Sequence, residues 1–343
     1  MEEILLRQPD DWHAHLRIGN LMENVINLFD VYGRVVCMGN LADPVDTAKK
    51  ALAYRKQISA MGNFLPIIGV MLTKNSTVEE WEKIIKLLGK SAFMKYMPEG
   101  ITTNSEFGIP WTELENFSRI FELAQDKKIP VLIHAENNRN FLSSKEIAEI
   151  DREKEAVVFI EELALAFPDL IINIEHVSTR TMVGLIKNYK NLSGSISPNH
   201  LFHCYKSVFD DHGEIINVHK YFKPVAKNEN DREAVIAAAL SGNPKFFFGS
   251  DSAPHLKIDK EVFKRAGAFN ALTNLAYLCE AFVERGAIDK FEPFVSEYGA
   301  RRYGFHLNTE VIRLKRQNWE VPTVYRGIVP DLAGREMRWR IVE

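Results

Sequence analysis

His13 and His15 stand one residue apart in Asp10-Asp11-Trp12-His13-Ala14-His15-Leu16-Arg17. On an extended segment side chains alternate with a period of two, so both imidazoles project to one side and can reach one metal ion. Other ligand-type residues close further apolar segments: Lys95, His134, His176 and Asp251. Each has a plain reading when taken singly. A histidine at a strand end is more often a structural hydrogen-bonding group than a ligand. Asp251, in Ser250-Asp251-Ser252-Ala253-Pro254, could cap a helix or make a turn. Lys95, among apolar neighbours, could pair with a carboxylate. Together they point to one centre. Imidazole and carboxylate donors without thiolates suit zinc or a similar first-row metal in a catalytic site with an open position.

The lysine is chemically odd in such company, because an ammonium repels a cation and offers no lone pair. It would have to be neutral through a depressed pKa, or carbamylated by CO2 into a carboxylate able to bridge two metals. The residues alone leave both routes open.

These residues need a frame that gathers strand ends. Candidate strands lie at 10–15, 34–39, 64–72, 92–97, 130–135, 170–177, 194–197 and 245–250. Their unbroken apolar character suits parallel strands buried on both faces. Amphipathic helices are expected at 78–88, 112–127, 153–167 and 230–241, with capping boxes at Thr112/Glu115 and Asn230/Glu233. Eight strand–helix alternations predict an α/β fold, a (β/α)8 TIM barrel, whose catalytic residues sit at the C-terminal ends of the strands. A doubly wound open sheet is the rival, but no GxGxxG follows a strand. The whole chain, 1–343, is expected to form one metallo-dependent hydrolase barrel domain, with about 306–343 as a C-terminal extension packed on it.

Composition narrows the function further. The chain has 343 residues, 46% hydrophobic and 26% charged, with a net charge of -3. No concentrated basic charge suggests a nucleic-acid or membrane-surface partner. The three cysteines, Cys37, Cys204 and Cys279, are too sparse and too far apart for a disulfide framework or a thiolate zinc site. No apolar run approaches the ~18 residues of a membrane span, and no signal-peptide core opens the chain. The expectation is a soluble protein of a reducing compartment, the cytoplasm.

Several motifs together resemble the dihydroorotases of the amidohydrolase superfamily, the compact bacterial and fungal type. They are the His13/His15 segment through Arg17, Met38-Gly39-Asn40, Lys95-Tyr96-Met97-Pro98, Thr102-Thr103-Asn104-Ser105, His134-Ala135-Glu136, Glu175-His176-Val177-Ser178-Thr179 and Gly249-Ser250-Asp251-Ser252-Ala253-Pro254-His255. The resemblance spans nearly the whole chain. It implies zinc-dependent, reversible cyclisation of N-carbamoyl-L-aspartate to L-dihydroorotate in pyrimidine biosynthesis. His13, His15 and Asp251 would hold one zinc and His134 and His176 a second. Carboxylated Lys95 and a hydroxide would bridge them, with Asp251 as general acid and base. Arg17, Asn40 and His255 would surround the substrate carboxylate. His15, His134, Thr102, Thr103 and the backbone near Lys223, Ala266 and Gly267 would complete the substrate site. Segment 98–111 would be a flexible lid, and the enzyme a homodimer. The family usually has proline where this chain has Gly39, and a glycine there is expected to loosen the turn carrying Asn40. The rival activity is another cyclic amidase, of the hydantoinase or dihydropyrimidinase kind. A rival of a different class is a metal-free barrel paralogue that serves as an assembly partner, against which all six ligand-type residues argue.

Overall fold

The computed structural model describes residues 2–140 and 145–342, so Met1 and Glu343, at the ends of the expected domain, lie outside the described residues. Strand β1 (Glu3–Arg7) precedes eight strands that pair in parallel in chain order. These are β2 (Asp11–Ala14), β3 (Arg34–Met38), β4 (Leu65–Met71), β5 (Ala92–Tyr96), β6 (Val131–Ile133), β7 (Ile172–Ile174), β8 (Leu192–Ile196) and β9 (Phe246–Phe248). Helices between them cover the outside, as the alternation predicts. The ring closes just past β9. Asp251 N donates to His13 O at 2.8 Å, His15 N donates to Ser252 O at 2.9 Å, and Ala14 bridges Ser252 in parallel. This is the expected (β/α)8 barrel.

Strand alternation sets what fills the barrel. Phe93 and Lys95 share a face of β5, with the aromatic ring deep and the amine at the C-terminal end. Leu132 and His134 repeat this arrangement on β6 and its end. Strand β2 departs from it. A register irregularity between Asp11 and Ala14 lets the adjacent Trp12 and His13 both join interior clusters, as a bulge does. Trp12, Val36, Met38, Ile67, Phe93, Leu132 and Phe247 form a buried inner core. The N-terminal end of the barrel is stoppered by Tyr303, whose ring centroid lies 4.9 Å from Trp12 and 4.7 Å from Phe93. The helix Tyr298–Arg302 brings it there, and Gly299 faces Trp12 so closely that a Cβ would meet Nε1 at 2.1 Å. Truncating Phe93 to alanine would cost about 3–5 kcal/mol by the usual scale for large aromatics.

The helix expected over 112–127 divides. Trp111–Phe117 is 3-10 and Ser118–Asp126 is α, and the Thr112/Glu115 capping box does not form because Pro110 takes the N-cap position. The helix expected to start at Asn230 starts earlier, at Glu229, with the Asn228 side chain accepting from Asp231 N. The C-terminal stretch, with its weak periodicity, makes two strands, β10 (Val311–Glu320) and β11 (Glu336–Val342). They complete an antiparallel sheet with β1, in the order β1-β10-β11. Most of the β10 side chains are exposed, which is why apolar alternation did not mark it.

Candidate active site

The bonds that close the barrel also build the first ligand group. Because Asp251 N is tied to His13 O, its carboxylate is delivered to the two histidines. Asp251 Oδ1 lies 3.4 Å from His13 Nε2 and 3.5 Å from His15 Nε2, and those two nitrogens are 3.2 Å apart. Asp11 braces the closure from below. Its Oδ1 accepts from His13 N at 3.1 Å and from Ser250 N at 2.8 Å, and burial pushes its carboxyl up to about 7.

The second group forms at the ends of β6 and β7. His134 Nδ1 is 3.1 Å from His176 Nε2. Residues 175 and 176 are consecutive, and ordinary alternation would send one of them away. His176 has φ +41° and turns inward, so both reach the interior. Asp251 and Arg17 also have left-handed backbones, at φ +49° and +65°. Strained backbone gathered at one pocket is typical of sites where geometry is imposed.

Two carboxylates that the sequence reading did not single out stand behind the histidines. Glu136 Oε2 is 2.7 Å from His134 Nε2. Glu175 Oε2 is 2.8 Å from His13 Nδ1, off the axis of a good hydrogen bond, and it pairs with Lys95 Nζ. Both acids are buried, and the neighbouring histidines, with Lys95 also beside Glu175, hold both carboxyls down at about 2 against the pull of burial. The signal was present, since Glu136 follows His134 by two residues and Glu175 precedes His176.

This donor set fits a cation. Burial lowers the pKa of His13, His15, His134 and His176, which favours neutral rings, each with one nitrogen able to offer a lone pair. Burial also raises the Asp251 carboxyl well above the usual range, a cost that a bound cation offsets. Among the described residues, ligand atoms of His13, His15 and Asp251 fall within 4.8 Å of one another, as do those of His13, Glu175 and His176. In the second group Glu175 Oε2 also lies against His13 Nδ1 and pairs with Lys95 Nζ.

A pocket opens above this cluster. It gathers Arg17, Asn40, Thr102, Thr103, Lys223, Ala266 and Gly267 around the six ligand-type residues, along with Met97 and Ala253, which the sequence reading missed. His255 sits directly behind Arg17. Arg17 Nη2 is 3.0 Å from His255 Nε2, and Arg17 Nε donates to Pro254 O at 3.2 Å. His255 Nε2 is also 3.0 Å from Ala266 O. Burial lowers His255 to about 2, so the ring is neutral, and Nε2 can accept from Arg17 or donate to Ala266, not both.

Segment 98–111 lies over the mouth. Asn40 Nδ2 donates to Thr103 O at 3.3 Å, Asn104 Nδ2 donates to Asn40 O at 3.1 Å, and Thr103 Oγ1 donates to Ala266 O at 3.3 Å. Gly39 does not loosen Asn40. Its N–H donates to Gly69 O at 2.9 Å, a bond proline cannot make, and a Cβ there would meet that same oxygen at 2.6 Å. Lys223 contributes more than backbone, since its amine pairs with Glu149 at the pocket rim. Gly267, at φ +139°, lets the wall approach His255 Nε2 and Ala253, where a Cβ would clash at 3.0 Å or less. His200, bonded to Ser197 and Pro224 O, has its ring centroid 6.3 Å from that of His176, and His203 is bonded to Asp331.

Fold and site together define a metal-dependent barrel hydrolase of the amidohydrolase kind. No family model matches the chain. It is 37% identical to a dihydroorotase of Acaryochloris marina, with all of both chains covered. The crystal structure of dihydroorotase from Saccharomyces cerevisiae in complex with 5-fluoroorotic acid superposes with a TM-score of 0.92 at 26% identity, covering 100% of this chain and 99% of that one. An L-hydantoinase from Arthrobacter aurescens, at 15% identity and TM-score 0.81 over 98% of this chain and 82% of its own, shares the fold alone. The chain belongs to the dihydroorotase family. It is an enzyme, a cyclic amide hydrolase.

Proposed function

We propose that this chain interconverts N-carbamoyl-L-aspartate and L-dihydroorotate, the ring-closing step of pyrimidine synthesis. One observation carries the reading. The guanidinium of Arg17, built to hold a carboxylate in its planar fork, lines the same pocket as the His13–His15–Asp251 cluster. A hydrolysable ring amide and a free carboxylate therefore fit one small ligand. The 5-fluoroorotic acid in the yeast crystal likewise combines a pyrimidine ring with a carboxylate.

His13, His15 and Asp251 would hold one zinc ion, His134 and His176 a second, and carboxylated Lys95 would join the two. When bound, such a pair supplies hydroxide at neutral pH and polarises the carbonyl under attack. Hydrolysis adds the elements of water across the ring amide carbon–nitrogen bond. Asp251 takes the hydroxide proton and delivers it to the departing nitrogen, and cyclisation uses the same groups in reverse. Arg17, Asn40 and His255 hold the carboxylate. Thr102 and Thr103 bring the lid down and exclude water.

The resemblance also supports a homodimer and a cytoplasmic location. Among the described residues no helix is long and apolar enough to cross a membrane. The test is an ultraviolet assay of dihydroorotate disappearance paired with metal analysis. Turnover with two zinc ions per subunit is expected. Inertness toward dihydroorotate with hydrolysis of hydantoin or dihydrouracil would overturn the reading.

A further inference from the structure

Lys260 is only 4% exposed, yet among the described residues no carboxylate lies within ion-pair distance of its amine. It projects from the helix Lys257–Phe263, and Nζ donates to two backbone carbonyls, Tyr221 O at 3.0 Å and Gly267 O. The two carbonyls belong to different loops. One runs directly into Lys223, and the other contains Ala266 and Gly267, all three at the pocket wall. Gly267 N also donates to Tyr221 O at 3.0 Å, so amide and ammonium converge on one oxygen. One residue before Gly267, Ala266 O receives Thr103 Oγ1 from the lid and faces His255 Nε2.

We propose that Lys260 is a positioning residue for the substrate, setting the gap between the Lys223 wall and the Ala266–Gly267 wall and thereby the seat on which the lid closes. The proposal rests on the dihydroorotase reading and adds to it a residue outside the pocket. An ammonium is suited to this task because it offers three donors from one point, enough to draw two carbonyl oxygens together. An apolar side chain of the same length would fill the space and leave both carbonyls to repel. The placement is costly, and burial pushes the Lys260 amine down to about 7. A staple needed only for packing would not require a buried charge.

The experiment uses the full chain loaded with zinc, in wild-type form and as Lys260→Met and Lys260→Gln. KM and kcat for dihydroorotate and zinc content are measured for each. The expected result is a KM about ten-fold higher or more in Lys260→Met, kcat within about three-fold, unchanged zinc, and partial recovery in Lys260→Gln, which keeps a donor. A KM within about two-fold of wild type, a fall in kcat alone, or failure of both variants to fold would overturn the positioning role. A wild-type chain inert toward dihydroorotate would overturn the activity, and this proposal with it. A working wild type with unchanged KM in the variants overturns the lysine alone.

Discussion

Glu136 Oε2 accepts a hydrogen bond from His134 Nε2 at 2.7 Å, and this contact decides which nitrogen of the ring faces the site. A carboxylate only accepts, so Nε2 carries the proton and Nδ1 is left bare toward His176. Glu175 stands behind His13 on the other ring nitrogen, Nδ1, which leaves Nε2 to meet His15 and Asp251. The nitrogen facing the cluster is thus Nδ1 in His134 and Nε2 in His13. Glu136→Gln should weaken zinc binding by about 10- to 100-fold, the usual loss for a residue orienting a metal-bound histidine. Chelator competition would measure it, and an unchanged affinity would remove the orienting role.

Lys95→Ala should abolish nearly all turnover and lower bound zinc below two per subunit. Metal analysis and the ultraviolet assay check both. Two zinc ions retained at full rate would rule out bridging by Lys95.

Asp251→Asn should keep the barrel, because the closing bond is made by the backbone N–H of residue 251 and not by its side chain. Turnover should fall by orders of magnitude with the loss of the proton carrier. Circular dichroism and a pH–rate profile would report on each, and a wild-type profile in the variant would exclude the role.

Arg17→Met should raise KM for carbamoyl aspartate by about 10- to 150-fold while zinc content holds, because a charge-assisted contact is worth about 1.5–3 kcal/mol. An unchanged KM would place the substrate carboxylate elsewhere.

Lys260 has a consequence for stability. Burial pushes its amine down to about 7 in the folded chain against an ordinary 10.5, so below pH 7 both states are protonated and the burial cost is carried in full. Between pH 7 and 10.5 the unfolded chain binds the extra proton, so this group's contribution improves as pH rises. Relative to Lys260→Met, the wild type should gain about 3 kcal/mol of stability from pH 7 to 10, at roughly 1.4 kcal/mol per unit. Urea denaturation of both proteins across that range measures the difference. A constant difference would mean that Lys260 keeps an ordinary pKa.

The barrel and the cluster of ligand-type residues were legible because their signals are local. Apolar runs mark buried parallel strands, and His13, His15, Lys95, His134, His176 and Asp251 stand at or just past their ends. Glu136 and Glu175 lay inside the same motifs and passed unnoticed, since an acid beside a histidine says nothing about direction until His176 is seen to turn at φ +41°. The sheet of β1, β10 and β11 was hidden for a different reason. Its strands are largely solvated, and its first strand pairs with partners some three hundred residues away. Lys260 reads from sequence as one more charge on a surface helix. Only the approach of Tyr221 and Gly267 shows otherwise.

Tyr303 closes the far end of the barrel, and the pocket lies at the opposite end, among the strands' C-terminal ends. Whatever arrives to be cyclised and whatever leaves as the ring would pass there, beside Thr103 and Asn40, in either direction of a reversible reaction. On the reading of segment 98–111 as a lid, the frequency with which it opens would cap forward and reverse throughput alike, however fast the bond-making beneath it.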